Sequence, residues 1–331
     1  MPTQQTPRQS ADYLRTTVII CTRNRPDDFR RSLKSVMRNR PSDCHVIVVD
    51  QSTDDRTKHV FEEVSAGCGL EMIYHRSSGT GLSLARNEAA QLAGNGLLLF
   101  TDDDCEVDDT WVPAWVRLLG NHPECGMGFG RVAVPDFDSL TGHIPSFDPG
   151  PAVTSTHGHE LFASGADRVG MGANMVLRHS TWLDVGGFDE LTGPGARFQA
   201  ADDLDMALRV AARGMSILHS SDAVVLHHGF RTTAEASRLG FGYALGTGAM
   251  YVKHLRCRGE GAWPMLLRVA SGHVARVVRA AVTGERPTGF TSLRGLVTGM
   301  LAAARLDLDP SRRTFRPHVH GVGGTPAVSG A

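Results

Sequence analysis

Three consecutive carboxylates, Asp102, Asp103 and Asp104, follow the apolar run Leu97–Phe100. Adjacent like charges repel, so a buried strand that opens onto three of them needs a reason. Hard divalent cations take oxygen ligands, and Mg²⁺ or Mn²⁺ sites use one or two carboxylates and leave other positions to water and substrate phosphate. A triplet of this kind is unfavourable without a cation and useful with one. The alternative is a helix cap, but Asp108, Asp109 and Thr110 already supply a polar start for the next helical stretch. A second carboxylate pair, Asp202 and Asp203, opens the helical pattern "DDLDMALRVAARG". Capping needs only one of the two, which leaves the other as a candidate general base. Asp205 lies two residues on, about 200° around the helix, and reads as structural. His227 and His228 are neighbours on a strand pattern and point to opposite faces, so at most one reaches any site.

The elements that must position these groups alternate along the first hundred residues. "TTVIIC" and "HVIVV" read as buried strands, Thr17 to Cys21 leading into a polar loop and Val46 to Val49 ending in Asp50, "LEMIYHR" as a third strand and "GLLLF" as a fourth, ending at Asp102. Between them, "PDDFRRSLKSVMRN" has Pro26 and two acids in its first turn and an apolar stripe of Phe29, Leu33, Val36 and Met37. "GTGLSLARNEAAQLAG" opens on glycines and becomes helical. Continuous apolar strands indicate an α/β fold whose mostly parallel sheet is covered on both faces by helices. Ligands of such sheets bind beyond the carboxyl ends of the strands. Thr22–Arg25, Asp50 and Asp102–Asp104 are therefore expected in one crevice.

Further along, residues 135–165 read as a long loop. "GANMVLRHSTWLDVGGFDE" reads as strand, short helix and turn, and "SILHSSDAVVLHHGF" as a pair of short strands. Trp111 and Trp115 stand at helical i,i+4 spacing and read as packing. His157 and His159 read as a solvated loop rather than substrate contacts.

Composition narrows the function classes. The chain has 331 residues, 41% apolar and 21% charged, which is an ordinary globular mixture. Its six cysteines include no C-x-x-C pair, against a zinc or disulfide framework and consistent with a reducing compartment. The first residues lack the apolar core of a secretory signal, and no stretch approaches the roughly 18 apolar residues of a membrane span. These features suggest a cytoplasmic protein. The net charge of −1 hides an asymmetry: residues 1–230 carry 20 basic and 30 acidic side chains, and residues 231–331 carry 14 and 5. Pro264–Val282 reads as an amphipathic helix with Arg268, Arg276 and Arg279 on one side, able to pack on the domain or to lie on an anionic membrane surface at its inner face. Small residues recur along Gly240–His254, which suits close packing on a neighbouring element. No aromatic-interleaved basic pattern suggests a nucleic acid polymer.

The chain resembles family 2 inverting glycosyltransferases of the glycosyltransferase-A fold. Seven segments carry the likeness in order: "VIICTRNRP", "VIVVDQSTDD", "GTGLSLARN", "LLLFTDDD", "GANMVLRHSTWLDVGGFDE", "ADDLDMALRV" and "VVLHHGF". The resemblance implies a nucleotide-diphospho-sugar transferase fold with a catalytic domain over about 16–230. Its nucleotide-binding half would be about 16–105 and its acceptor half about 106–230. A basic helical extension over 231–310 and disordered tails at 1–15 and 311–331 complete the expected organisation. By position, Thr22, Arg23 and Asn24 would lie against the nucleoside, and Asp50 would accept hydrogen bonds from the base. Arg86 would neutralise the diphosphate. Asp102 would face ribose or metal, Asp104 would hold a Mn²⁺ or Mg²⁺ ion, and Asp103 is an alternative ligand. The family's Glu-Asp pair reads Asp202-Asp203 here, with Asp203 as the base. The late histidine implies a metal or diphosphate contact, assigned to His228. The implied reaction moves a sugar from a nucleoside-diphosphate sugar to an acceptor hydroxyl, on a glycan, a lipid-linked saccharide or a small metabolite. Two other readings are a sugar nucleotidyltransferase, for which "CTRNRP" lacks the basic glycine-rich loop, and a membrane-peripheral nucleotide-sugar binding protein without turnover.

Overall fold

The computed structural model describes residues 15–39, 44–157, 169–258, 262–283 and 288–316. Of the tails expected at 1–15 and 311–331, only Arg15 and residues 311–316 are among the described residues, and His159 lies outside them.

Strands β1 (Thr16–Thr22), β2 (Cys44–Asp50), β3 (Glu71–Arg76) and β4 (Leu97–Asp102) lie parallel in the order β3-β2-β1-β4. β1, β2 and β4 are buried almost throughout, as two-sided coverage requires. Helices α1 (Pro26–Arg38), α2 (Arg56–Ser65) and α3 (Leu82–Leu92) supply the cover. α1 starts at Pro26, where a missing amide hydrogen costs nothing, and buries Phe29, Leu33 and Val36. The register places Thr22 beside Asp50 and Cys21 beside Asp102, so three strand ends finish at one level.

The sheet then turns mixed. β5 (Cys105–Val107), β6 (Cys125–Ala133), β9 (Asn174–Arg178) and β10 (Ser216–His227) extend it in the order β4-β9-β6-β10-β5. β9 runs antiparallel to both β4 and β6. The expected pair of short strands near residue 220 is one twelve-residue strand, β10, irregular between Ser220 and Val224. Helix α4 (Trp111–Asn121) follows β5, and short strands β7 (Gly142–His143) and β8 (Thr154–Thr156) punctuate the long loop. Both indole N–H groups, of Trp111 and Trp115, donate to Asn174 Oδ1, while Asn174 Nδ2 donates to the carbonyls of Arg131 and Ala223. The tryptophan pair is packing, as its spacing suggests.

Helix α5 (His179–Val185) ends at Gly186 in the left-handed conformation, φ 80°. Helix α6 (Asp202–Ala211) begins after Ala201, φ 69°, with no side-chain cap. Asp202 and Asp203 are thus the first two residues of α6 and not its cap, where the helix dipole favours their charge.

The basic extension forms helices α7 (Thr233–Arg256), α8 (Ala262–Thr283) and α9 (Thr288–Ala304). α7 and α9 pack at backbone distance, because a Cβ on Gly248 would stand 2.2 Å from the Leu296 carbonyl oxygen and one on Gly299 would stand 2.0 Å from that of Leu245. The extension is not a separate body. Lys253 and His254 of α7 are fully buried, with Lys253 Nζ 2.5 Å from Asp189 Oδ2 and 2.7 Å from Asp205 Oδ1. His254 Nε2 lies 2.9 Å from the same Asp205 oxygen, and Arg209 Nε donates to its other one. Burial alone would raise the Asp205 pKa, but Lys253, Arg209 and His254 outweigh it and hold the carboxyl below the usual range. Asp205 is structural, as its place on the helix suggests.

The disorder expected from residue 311 is corrected in part. β12 (Leu308–Asp309) and β13 (Thr314–Phe315) form a hairpin, Phe315 is buried against Phe198, and its amide donates to Asp189 Oδ2. One aromatic with a prepared seat is enough to order a stretch that reads as polar.

Candidate active site

The strand ends open into a cleft of about 690 Å³. Thr22 and Arg23 line it, with Asp102, Asp103, Asp104 and His227. The carboxylate triplet is divided where β4 ends, with Asp102 on the strand and Asp103 and Asp104 in the turn before β5. Asp103 turns to Thr22, whose hydroxyl donates to Oδ2 at 2.8 Å, and to Arg25, whose Nη1 is 3.2 Å from Oδ1. Burial pushes the Asp103 carboxyl up to about 7, against the opposing pull of Arg25. Asp104 Oδ1 lies 3.4 Å from His227 Nε2, and its Oδ2 lies 3.3 Å from Arg25 Nη1. Burial acts to raise Asp104, but the His227 contact and Arg25 pull its carboxyl below the usual range.

The histidine assignment reverses. His227 lines the cleft, and His228 turns away to place Nε2 2.8 Å from Glu106 Oε1. The reason is strand parity: His227 pairs with Cys105 in the β10–β5 ladder, on the side that faces Asp104. The Nδ1–H of His227 points to the Pro145 carbonyl at 2.9 Å, which leaves Nε2 directed at the carboxylates.

Three other residues expected at a ligand are engaged within the protein, Asp50 and Arg86 buried and Asn24 exposed but tied to a neighbouring loop. Asp50 is wholly buried, with Oδ1 accepting from the Ser52 amide and Oδ2 from Tyr74 and Arg76. It braces the loop after β2, and its neighbour Gln51 lines the cleft instead. Asn24, at φ 57°, accepts from the Thr53 amide and donates its own amide to Ser52, tying the loops after β1 and β2 together. Arg86 is 2% exposed. Its guanidinium sits 2.6 Å from Asp202 Oδ2 and 3.3 Å from Asp102 Oδ1, and donates to the Gly172 carbonyl.

Arg86 therefore joins the end of β4 to the start of α6 and does not reach the cleft. Its neighbours complete the staple. Asn87 exchanges hydrogen bonds with the backbone of Phe188, and Ser83 donates to the Thr192 carbonyl. The segment "GLSLARN" thus fastens the glycine-rich loop 186–201 to the parallel strands β1 to β4.

Asp202 and Asp203 stand outside the cleft lining. Asp202 is buried against Arg86, and burial raises its carboxyl to about 7 although the guanidinium opposes this. Asp203 is partly exposed, with Oδ2 accepting from the Gly172 amide at 2.9 Å. Its charge lies close enough to contribute to raising Asp102, after burial, which dominates. Arg25, expected in the crevice with Thr22, lines the cleft, which also draws on residues with no advance signal: the 194–199 loop, and Arg231, Leu239, Gly242 and Tyr243 of the extension.

A family model described as glycosyl transferase family 2 matches residues 17–172, the stretch that supplies Thr22, Arg23 and Asp102–Asp104 to the cleft. Residues 17–172 are a family 2 glycosyltransferase domain. Relatives of the transferase include glucosyl-dolichyl phosphate glucuronosyltransferase of Haloferax volcanii, 24% identical over 69% of this chain and 74% of that protein. Pre-mycofactocin glycosyltransferase of Mycobacterium tuberculosis is 26% identical over 91% of this chain, which spans about two thirds of it (65%). Among solved structures, mannosyltransferase PcManGT from Pyrobaculum calidifontis, in complex with GDP-Man and Mn²⁺, superimposes with a TM-score of 0.59 at 15% identity, over 89% of this chain and 88% of that one. S. aureus TarS 1-349 with UDP-GlcNAc gives 0.54 at 13% identity, over 89% and 95%. These likenesses establish the glycosyltransferase-A fold.

Arg86→Leu tests the staple. Removing the guanidinium strands Asp202 in the interior, a loss of about 3–5 kcal/mol for a broken buried pair. Chemical denaturation should show it, and adding Asp202→Asn should restore part of the stability. A near-neutral Arg86→Leu would contradict the assignment.

Proposed function

We propose that this chain transfers a sugar from a nucleoside-diphosphate sugar to an acceptor hydroxyl by a metal-dependent, inverting displacement. The observation that carries the reading is the convergence of Asp102, Asp104 and His227 on one cleft with Thr22 and Arg23. The donor set suits Mn²⁺ or Mg²⁺: ligand atoms of Asp104, Cys105 and His227 lie within 4.8 Å of one another. Burial raises the Cys105 thiol well above its ordinary value, so the carboxylates and the imidazole are the donors. Asp104 and His227 would hold the ion, with Asp102 beside them, and the ion would supply charge neutralisation for the diphosphate. The solved neighbours, with GDP-Man and Mn²⁺ or UDP-GlcNAc bound, support the same donor class.

The chain's own residues supply the rest. Arg25, more than half exposed in the cleft, takes the diphosphate-neutralising role expected of the buried Arg86. Thr22 and Arg23 border the nucleoside, and Gln51 replaces Asp50 as the polar contact after β2. Asp203, oriented by the Gly172 amide, removes the acceptor hydroxyl proton as the oxygen attacks the anomeric carbon. The nucleoside diphosphate leaves from the opposite face, which inverts the centre. Burial pushes the Cys21 thiol up to about 12, so the one cysteine in the cleft lining is no thiolate nucleophile, in keeping with a single displacement. Asp203→Asn should lower kcat by about 10²–10⁴-fold with KM for the donor unchanged. Steady-state nucleotide release checks this, and wild-type turnover would remove Asp203 as the base.

A specific observation favours a second partner, an anionic membrane surface. No helix among the described residues is long and apolar enough to cross a membrane. Yet Trp263, Leu267, Val274, Val278 and Val282 are exposed along α8, and Phe290, Val297 and Leu301 along α9. Arg268, Arg276, Arg279 and Arg294 are exposed on the same two helices. Apolar rows with interspersed arginines suit the headgroup boundary of anionic lipid. The protein should float with phosphatidylglycerol-containing vesicles and not with pure phosphatidylcholine, and Leu267→Glu/Val278→Glu should release it. Equal behaviour with both vesicles would exclude the partner.

A further inference from the structure

The cleft wall contributed by the C-terminal extension has its own chemistry. Arg231 lines the cleft with its guanidinium carbon 5.8 Å from the Tyr243 ring centroid, and its Nη1 donates to the Tyr243 hydroxyl. Of the other arginines near the strand ends, Arg25 is paired with Asp103 and Asp104 and Arg86 with Asp102 and Asp202, while Arg23 lines the cleft in the loop after β1. Among the described residues, Arg231 has no carboxylate within ion-pair distance. It is a cation held at a substrate cleft by an aromatic ring.

Its backbone is fixed. Arg231 and Thr232 form β11, whose residues pair with His143 and Gly142 of β7. Gly142 permits this approach, because a Cβ there would stand 2.2 Å from the Arg231 carbonyl oxygen. Directly afterwards, Thr232 and Glu235 close a capping box that starts α7. Two turns into α7, Leu239 and Tyr243 present exposed apolar and aromatic surface to the cleft, 41% and 45% exposed. Gly242 leaves room for Gln199, since a Cβ would meet its Oε1 at 2.6 Å.

We propose that Arg231 and Tyr243, with Leu239 beside them, form an acceptor subsite for an oxyanion, a phosphate or carboxylate carried by the acceptor. The inference rests on the transferase reading and names the acceptor class that reading leaves open. A guanidinium offers five donors in a planar fork that matches carboxylate and phosphate oxygens, and an aromatic ring beneath it fixes that fork without neutralising its charge. Tyr243 takes one donor, which leaves the rest for the ligand. The donor diphosphate has its own countercharge in the proposed cation, with Arg25, shared with Asp103 and Asp104, beside it. Leu239 and the Tyr243 ring offer contact for the less polar part of the same acceptor.

The test compares three hydroxyl probes, glucose, glucose 6-phosphate and glucuronate, binding to the full chain preloaded with Mn²⁺ and whichever of UDP, TDP, GDP or CDP binds. One charge-assisted contact is worth roughly 1.5–3 kcal/mol, so an anionic probe should bind about tenfold or more tighter than glucose. A preference for the phosphate or for the carboxylate identifies which oxyanion the subsite takes. Arg231→Gln should abolish the preference, Arg231→Lys should keep part of it, and Tyr243→Phe should weaken it, with melting temperatures confirming that the variants fold. Equal binding of all three probes to the wild type overturns the subsite and leaves the transferase reading intact. Loss of nucleotide affinity in Arg231→Gln overturns it by assigning Arg231 to the donor. Failure of every nucleotide to bind the wild type overturns both proposals.

Discussion

Two carboxylates from opposite halves of the chain, Asp102 and Asp202, share one buried guanidinium. Arg86 binds both, and it is the one contact through which the end of β4, the start of α6 and the loop before β9 are held in register. An arginine almost without exposure carries a large desolvation cost, which only close anionic partners can offset. Both carboxylates are pulled upward by burial and downward by Arg86. The crevice therefore keeps its shape because charges of opposite sign are balanced inside it. Asp103 and Asp104 extend the same logic outward, through Arg25 and His227, to the open cleft.

A second buried charge cluster ties the extension to this centre. Asp205 stands on the same helix as Asp202 and Asp203, and Lys253, His254 and Arg209 surround it. Asp189, in the glycine-rich loop, shares Lys253 and also accepts the Phe315 amide. Helix α7 is thereby fixed against α6 at one end while its other end lends Tyr243 and Leu239 to the cleft. The extension reads as a basic appendage in sequence and is part of the site wall in space.

Strands β1 to β4 and helices α1 and α3 were legible because apolar runs and glycine or proline punctuation act locally, whereas α2, with only Thr57 and Val60 buried, gave no such stripe. The meeting of Thr22 with Asp102–Asp104 followed from strand-end logic, and the order of seven short motifs carried the family resemblance. What failed depended on partners distant in sequence. His227 rather than His228 faces the cleft because of the β10–β5 register, which no local pattern encodes. Asp50 and Arg86 have residue types that suit a ligand, but Tyr74 and Arg76 take up the first, and Asp202 the second. Phe315 orders a polar tail only because Asp189 and Phe198 wait for it. Arg231 and Tyr243 gain meaning only once β7 pins the chain ahead of α7.

The account rests most heavily on the carboxylates of β4 holding a cation together with a nucleotide. Calorimetric titration of UDP, TDP, GDP and CDP, each with Mn²⁺ and then with EDTA, into wild type and Asp104→Asn tests this directly. The account predicts binding of at least one nucleotide that requires Mn²⁺, and loss of that requirement's benefit in a folded Asp104→Asn. Nucleotide binding of equal strength with EDTA, or an Asp104→Asn variant that responds to Mn²⁺ as the wild type does, would contradict it.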